Sequence, residues 1–306
     1  MKFVTTPSGH RLLLIWRTEL LFYMPERRRL ADEWNHVRLT SAPLSEWTNL
    51  INHSLNRPLP FADESFDAIY SFHVIEHLNP RVNERFIADL HRLLKPAGIC
   101  RVSTPDLEFH ASEYLRCLRD QLASPSVKSY ANYRWAVCNL IDQCAREVSG
   151  GEMWKIICDG EYTTEYVNYM NGDLLDFLFQ PPAAVPLRSA AQRPRSTAQR
   201  FVRAIKNPML VAEKIAGPIR RWLRRRTPQK SFFELSHERN LWLFDRVSLG
   251  RLFSGAGFQN IAVTDHRTSR IPDWNRYNFD QSAYGEYPLE PSLYMEGTKA
   301  MLNSSQ

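Results

Sequence analysis

Two histidines and a glutamate stand close together early in the chain: His73, Glu76 and His77, in the run HVIEH. The run directly follows FDAIYSF, whose apolar and aromatic residues predict a buried strand. Residues three and four apart share one face of a helical turn, so we expect all three side chains on one side. A histidine titrates near neutral pH and is the usual general base, and a neighbouring carboxylate can orient it. The pattern predicts a proton-transfer site with His77 as the base and Glu76 as its partner.

The same residues also have a structural interpretation and a zinc interpretation. In the first, Glu76 and His77 cap the following helix and bond to backbone groups. In the second, H-x-x-E-H is a zinc-peptidase signature, which belongs in the middle of a long helix. Here a predicted strand precedes the run and Asn79-Pro80 stops any helix within one turn. We therefore expect no peptidase, and the structural interpretation stays open.

The order of predicted elements is that of an α/β sheet. Apolar runs predict strands at 10–16, 36–41, 48–55, 66–72 and 98–104. Helices are predicted at 18–34 and 85–94, so the strands should be parallel neighbours joined by right-handed crossovers. Residues 109 to about 180 are predicted to be mostly helical, with Trp135 and Trp154 in the core of that section.

The C-terminal residues return to a strand pattern. A helix is predicted over 248–256, with Asp245 in its N-cap region. Strands are predicted at 259–264 and 292–298. They form an antiparallel pair that closes the sheet, so the residues between the two halves interrupt one domain.

Residues 57–108 (RPLPFADESFDAIYSFHVIEHLNPRVNERFIADLHRLLKPAGICRVSTPDLE) resemble the second half of a class I S-adenosylmethionine-dependent methyltransferase domain. The segments LPF, FD, EHL and KPAG keep the family's order and spacing. The stretch HERNLWLFDRVSLGRLFSGAGFQNIAVTD, with SRIPDWNRYNFD and PSLYMEGTK, is similar to the end of predicted methyltransferases encoded with bacterial exopolysaccharide and lipopolysaccharide enzymes. The resemblance implies a Rossmann-like sheet, mostly parallel with an antiparallel C-terminal strand pair, flanked by helices and carrying a helical insertion.

On this basis the chain divides into three parts. Residues 1–125 are the first part of the methyltransferase core, and 231–306 are its C-terminal part. Residues 126–230 are a helical insertion, which includes a basic amphipathic segment at 188–230. The resemblance implies S-adenosylmethionine as the cofactor and transfer of a methyl group as the reaction.

The resemblance also assigns roles to individual residues. It implies that the cofactor is lined by Ser54 and Leu55 after the third strand and by Ser71, Phe72 and His73 at the end of the fourth. The catalytic positions are His77 and Glu76, with Asp106, just past the fifth strand, as a second candidate base or substrate ligand. In some relatives a similar Glu-x-x-Glu-His run resembles a divalent metal site, but we assign no metal here.

This chain departs from the family at the cofactor site. Only one glycine, Gly9, precedes Gly98, whereas the family holds the methionine end of the cofactor over a glycine-rich turn. The family's third strand typically ends in Asp-Leu, where this chain has Ser54-Leu55, and the acidic residue expected after the second strand has no clear counterpart. Two hypotheses follow. The protein O-methylates a sugar of a cell-envelope or exported glycan, or it is a non-catalytic methyltransferase-like protein that acts as a binding or scaffolding module.

Positive charge is concentrated in the segment 188–230, which holds thirteen Lys or Arg residues and one acid, Glu213, in a chain of net charge +6. Apolar residues such as Ile205, Ile219 and Trp222 recur between the charges, which is typical of amphipathic helices. Such a segment suits an anionic membrane surface or a lipid-linked glycan substrate. A partly disordered loop, or helices packed on the acidic remainder of the chain, stay open as alternatives. Nucleic acid is disfavoured because no nucleic-acid fold motif accompanies the charge.

Cysteine usage and the N-terminus bear on location. The five cysteines form neither a CxxC pair nor a metal-ligand spacing, which is typical of a reduced, intracellular protein. The apolar run at 12–16 is too short for a signal peptide or a membrane span. We expect a cytoplasmic protein, with the segment 188–230 as the means of peripheral attachment to the inner face of the membrane.

Deletion of residues 188–230 should leave the thermal stability nearly unchanged, because the segment lies outside the predicted sheet. The deletion should abolish sedimentation with anionic liposomes, whereas the intact chain should sediment with them less as salt rises, since the Debye length falls to about 3 Å at 1 M. Neutral liposomes are the control. An intact chain that stays in the supernatant with anionic vesicles at low salt would contradict membrane attachment.

Overall fold

A computed structural model describes residues 4–16, 33–38, 50–55, 57–172, 239–277, 279–281, 288–289 and 291–301. The strands are β1 (Leu12–Trp16), β2 (Asn35–Arg38), β3 (Leu50–Asn52), β4 (Phe66–Phe72), β5 (Leu94–Pro105), β6 (Gln259–Thr264) and β7 (Ser292–Thr298). The helices are α1 (Pro80–Leu93), α2 (Leu107–Ala123), α3 (Val127–Val137), α4 (Gln143–Ala145), α5 (Gly151–Asp159), α6 (Thr164–Asn171), α7 (Arg246–Gly255) and α8 (Trp274–Tyr277). A 3-10 turn spans Ile75–His77, and a π-helical turn at Cys138–Asp142 joins α3 to α4.

The strands form one sheet in the order β3-β2-β1-β4-β5-β7-β6. All neighbours from β3 to β5 are parallel, and β7 runs antiparallel to both β5 and β6. The predicted Rossmann-like α/β class, with its antiparallel C-terminal pair, is confirmed. Five of the strands therefore direct their carboxyl ends to the same edge, where open α/β sheets bind ligands.

Helix α1 begins at Pro80, earlier than the predicted start at 85. Proline lacks the N–H that a first helical residue leaves unpaired, and its fixed φ suits that position. Asn79 is the N-cap, and its side chain accepts a hydrogen bond from the Arg81 N–H at 3.0 Å. The pair Asn79-Pro80 thus ends the preceding turn and starts the next helix. Asp245 caps α7 as predicted, with its carboxylate 2.7 Å from the Ser248 N–H.

Helix α1 also holds the loop that leads into β4. The Asp89 carboxylate accepts from the Leu59 N–H at 2.5 Å. Arg92 donates to the carbonyls of Phe61 and Leu59, at 2.9 and 3.1 Å, and pairs with Asp89. These bonds replace the regular secondary structure that residues 57–65 lack.

The two faces of the sheet are covered differently. Alternate residues of β1 and β4, such as Leu13 and Ile69, face a core completed by α1 and α7. The intervening residues, such as Leu14 and Tyr70, face an aromatic core. That second core includes Trp16, Trp34, Trp274, Tyr277 and Phe279.

Helices α3 to α6 confirm the helical prediction for the described residues up to 171 and have a core of their own. Trp135 is fully buried in it, as predicted. The prediction for Trp154 is wrong, because its side chain is 46% exposed. Met153, Ile156 and Ile157 share the inward face of α5, and Trp154 lies off that face.

The described helices of residues 127–171 fall in the same compact unit as the sheet. The predicted boundaries at 126 and 230 remain predictions. The predicted helix at 18–34 and the basic segment 188–230 lie almost wholly or wholly outside the described residues. None of the described helices is long and apolar enough to span a membrane.

A fully buried guanidinium, that of Arg101 on β5, joins the two halves of the sheet. Its Nη2 lies 2.7 Å from the Asp280 carboxylate and its Nη1 lies 3.0 Å from the Glu296 carboxylate on β7. The guanidinium carbon lies 4.7 Å from the ring centre of Trp274 and 4.8 Å from that of Tyr294. All three charged side chains are 0% exposed, so each depends on the others to replace the hydration that it loses on burial.

Replacement of Arg101 by Met should lower the free energy of unfolding by about 3–5 kcal/mol, because it strands two buried carboxylates. Arg246→Met is the matched control, since the Arg246–Glu108 pair is more than half exposed. The control should cost less than about 1 kcal/mol. Urea unfolding measures the free energy of unfolding of both variants, and equal losses of stability would contradict a special role for Arg101.

Candidate active site

The candidate site lies at the carboxyl end of β4, where the chain leaves the sheet. His73 follows the strand with φ of 46°, a left-handed conformation that is uncommon for any residue but glycine. Its N–H donates to the Ser103 carbonyl at 3.1 Å, which ties the turn to β5. The 3-10 turn Ile75–His77 follows, and all three of its residues are buried. The backbone therefore presents His73, Glu76 and His77 within a single tight bend.

The Glu76 carboxylate is the centre of the site and is 1% exposed. Its Oε1 lies 3.2 Å from Nδ1 of His73 and 3.7 Å from Nε2 of His77. Its Oε2 accepts from the Thr104 hydroxyl at 3.2 Å. Burial raises the pKa of Glu76, but the close contact with His73 and the charges of both histidines outweigh burial, so the pKa lies below its usual range. The predicted convergence of the three side chains is present.

His77 also contacts the segment 239–242, which is far from it in the sequence. Its Nδ1 lies 3.0 Å from the Arg239 carbonyl, which can only accept, so Nδ1 carries the proton. In the neutral ring the lone pair is then on Nε2, the nitrogen nearer Glu76. The Glu76 carbonyl accepts from the N–H groups of Leu241 and Trp242, at 2.7 and 3.1 Å. These bonds to backbone match part of the structural interpretation of Glu76 and His77, while the cap of α1 is Asn79.

Asp106, the second candidate base, is the N-cap of α2. Its Oδ1 accepts from the N–H groups of Glu108 and Phe109, at 2.9 and 3.4 Å. Burial raises the pKa of Asp106 above its usual range, although these backbone bonds oppose the change. The carboxylate thus has a structural task, and its catalytic role stays a prediction.

The residues predicted to line the cofactor lie at the ends of β3 and β4. Ser54 is exposed and Leu55 is buried after β3, while Ser71 and Phe72 are buried on opposite faces at the end of β4. The Ser71 hydroxyl has no hydrogen-bond partner among the described residues. His73, predicted in the same group, contacts Glu76 and Ser292, and its role at the cofactor stays a prediction.

Two residues at this edge were missed by the sequence reasoning. The Ser292 hydroxyl, at the start of β7, lies 2.8 Å from Nε2 of His73. His110 on α2 is 4% exposed, and its Nδ1 has no partner in the described part of the chain. Ser292 is far from His73 in sequence, so no local pattern could have found it. His110 lies four residues beyond Asp106, and that helical spacing was the available signal.

The described residues contain no group of three or more His, Cys, Asp or Glu side chains arranged to hold a metal ion. The Glu76 carboxylate contacts both histidines, at 3.2 and 3.7 Å. The resemblance of this run to a divalent metal site in some relatives stays a resemblance.

Residues 36–102 match the protein family described as "Methyltransferase domain". The match runs from β2 through most of β5, and it includes the whole 3-10 turn. Together with the strand order above, the match shows that this part of the chain is similar to a methyltransferase domain.

A curated relative from Mycolicibacterium smegmatis, described as a "probable S-adenosylmethionine-dependent methyltransferase", is 39% identical over 56 residues. The matched stretch covers 18% of this chain and 21% of the relative, so the chain spans about a fifth of that protein's length. A methyltransferase structure from Archaeoglobus fulgidus is 9% identical, with 95% of this chain and 87% of that chain covered and a TM-score of 0.37. One from Thermotoga maritima is 14% identical, with 95% and 82% covered and a TM-score of 0.36.

The description of the curated relative names S-adenosylmethionine as its cofactor. The described residues at the edge fit such a ligand in one respect. Ser71 has a buried hydroxyl at the end of β4 with no partner among the residues that the structure describes, and a buried polar group of this kind normally forms a hydrogen bond. Ser54 adds an exposed hydroxyl after β3. The segments after β1 and β2, which hold the cofactor in this family, lie outside the described residues.

The pH dependence of stability should carry a contribution from His110. Burial, together with a smaller effect of the nearby His73, lowers the pKa of His110 from its usual 6.5 to about 4. The unfolded chain therefore binds this proton more readily, and stability is lost as pH falls from about 6.5 towards 4, by up to about 3 kcal/mol.

His110→Phe should flatten this part of the stability curve in urea unfolding between pH 7 and pH 4. His53→Phe, at a less buried histidine, should leave it unchanged. A wild-type curve that coincides with that of His110→Phe after vertical displacement would contradict the assignment.

Proposed function

We propose that the protein transfers a methyl group from S-adenosylmethionine to a hydroxyl group. One observation carries the proposal: an ionised, buried Glu76 stands between His73 and His77 at the carboxyl edge of a methyltransferase sheet. Burying a carboxylate is costly unless it is paired, and perturbed carboxylates of this kind cluster at functional sites. The paired histidines give the edge a group that can take a proton near neutral pH.

His77 is the proposed general base. Because its Nδ1 donates to the Arg239 carbonyl, Nε2 is the nitrogen that accepts a proton from the acceptor hydroxyl. Glu76 then stabilises the imidazolium across 3.7 Å and is a positioning residue. Asp106, just past the next strand, is the second candidate base. Bound S-adenosylmethionine supplies the electrophilic methyl group, and alignment of the hydroxyl with it provides most of the rate.

The proposed acceptor is a sugar of a cell-envelope or exported glycan. Support comes from the C-terminal stretch, which resembles methyltransferases encoded with polysaccharide enzymes. The basic segment 188–230, which lies outside the described residues, suits an anionic membrane surface or a lipid-linked form of such a glycan. This proposal places the protein in the cytoplasm, at the inner face of the membrane.

The second candidate function is a non-catalytic, methyltransferase-like binding module. A specific feature favours it: Gly9 is the only glycine before Gly98, so no glycine-rich turn can approach the methionine end of the cofactor. Each charge-assisted contact that the cofactor lacks costs about 1.5–3 kcal/mol. In this candidate the sheet is kept as a scaffold and the basic segment is the binding surface.

Titration calorimetry with S-adenosylhomocysteine separates the two candidates. The methyltransferase proposal predicts binding heat and a raised melting temperature, with the methionine end held by side chains. His77→Gln should keep the affinity, yet lower S-adenosylhomocysteine release with mono- and oligosaccharide acceptors by about 10² or more. His53→Gln is the control and should match the wild type in both assays.

The contrary outcomes are distinct. Neither heat nor a thermal shift at millimolar S-adenosylhomocysteine favours the non-catalytic module. Turnover that survives His77→Gln makes His77 structural and Asp106 the leading base, which Asp106→Asn then tests.

A further inference from the structure

Three side chains from three parts of the chain stand in a line at the carboxyl edge. Glu76 Oε1 in the 3-10 turn lies 3.2 Å from Nδ1 of His73. Nε2 of the same ring lies 2.8 Å from the hydroxyl of Ser292, at the start of β7. The acid thus meets one nitrogen of the imidazole and the alcohol meets the other. This order of contacts is that of an acid–histidine–serine relay, which recurs on unrelated folds and is recognised by geometry.

The surroundings hold this line in place. Glu76 is fixed at its second oxygen by the Thr104 hydroxyl, and its carbonyl accepts two backbone N–H groups. His73 keeps a left-handed backbone, a conformation that persists only where neighbouring structure imposes it. The acid and the imidazole are almost completely buried, whereas Ser292 is only partly buried. Ser292, which would carry the reacting oxygen, is the least buried residue of the line.

We propose that Ser292, His73 and Glu76 form a nucleophilic serine relay that accepts acyl groups from small, activated carboxylic esters. This activity goes beyond the proposed methyl transfer and needs neither S-adenosylmethionine nor a methyl acceptor. The two activities share Glu76 but use different histidines. Ser292 is the catalytic nucleophile, His73 the general base, and Glu76 a positioning residue.

The chemistry balances with water as the only co-reactant. His73, with its proton on Nδ1 towards Glu76, takes the Ser292 hydroxyl proton at Nε2 as the oxygen attacks the ester carbonyl. The bond from the carbonyl carbon to the alkoxy oxygen breaks, and the alcohol leaves with the proton from His73. Water then attacks the acyl-serine, its proton passes through His73 to the Ser292 oxygen, and the carboxylic acid departs.

The first test uses the intact wild-type chain and two probes. An alkyl fluorophosphonate should label one residue, which peptide mass mapping should identify as Ser292, with loss of fluoride. p-Nitrophenyl acetate should release a burst of p-nitrophenol that approaches one equivalent per chain before a slower steady rate. Absence of both the label and the burst would overturn the proposal without any variant.

The second test compares single substitutions whose folding is checked by circular dichroism and thermal unfolding. Ser292→Ala should abolish labelling, and His73→Asn should slow it by about 10² or more. Asparagine suits that position because it tolerates the left-handed backbone. Ser112→Ala, at an exposed serine that donates to the Phe109 carbonyl, is the matched control and should label at the wild-type rate.

A label that persists in Ser292→Ala, or a rate that is unchanged in His73→Asn, would overturn the relay. Calorimetry with S-adenosylhomocysteine on the same preparations keeps the two proposals apart. Labelling without cofactor binding supports the relay and counts against methyl transfer. Cofactor binding without labelling supports methyl transfer and overturns the relay.

Discussion

The buried charge of Arg101 is the constraint that organises the second half of the sheet. A guanidinium at 0% exposure is tolerated only when carboxylates and other acceptors replace the lost water. Glu296 comes from the strand beside it and Asp280 from the segment that precedes β7, so the charge requires β5, β7 and the aromatic segment around Trp274 to be assembled together. Breaking any part leaves an unpaired charge in the core, which makes assembly of this region all-or-none.

That network extends to the candidate site through hydrogen bonds. Asp280 accepts from the Tyr70 hydroxyl, which lies 3.0 Å from the hydroxyl of Ser103. The Ser103 carbonyl in turn accepts from the N–H of His73. The left-handed turn is therefore anchored to the most strongly bonded part of the core. The His73 side chain also contacts a second buried charge, the Glu76 carboxylate. The imidazole therefore has little freedom to move, because both its backbone and its ring are held.

The carboxyl edge of the sheet has a cluster of polar side chains, but it lacks some of the residues with which related domains hold the cofactor. Glu76 and its histidines provide charge and proton acceptors at the end of β4, while the sequence lacks the glycines with which related domains approach the cofactor. Both proposed activities follow from this concentration of polar groups. They differ in which histidine acts, because His77 directs its proton to the Arg239 carbonyl and His73 bridges Glu76 to Ser292.

Much of the fold was available from the sequence, because apolar periodicity and caps are local signals. Strands at 66–72, 259–264 and 292–298 have the predicted bounds, and the cap at Asp245 was recognised. The spacing of HVIEH likewise brought three side chains to one bend. Helix α1 began early because Asn79-Pro80 is equally suited to ending one turn and starting another. Local patterns therefore set which elements form, with errors confined to their ends.

The sequence by itself predicted the described strands, the helices α1 and α7 and the local cluster of His73 and Glu76. Only the tertiary structure decided that Arg101 is buried, since its partners Asp280 and Glu296 are 179 and 195 residues away. Ser292, 219 residues from His73, joined the site in the same way. A local pattern records propensity and the polarity of a face, whereas a buried charge or a relay depends on partners that only chain closure brings within hydrogen-bond distance.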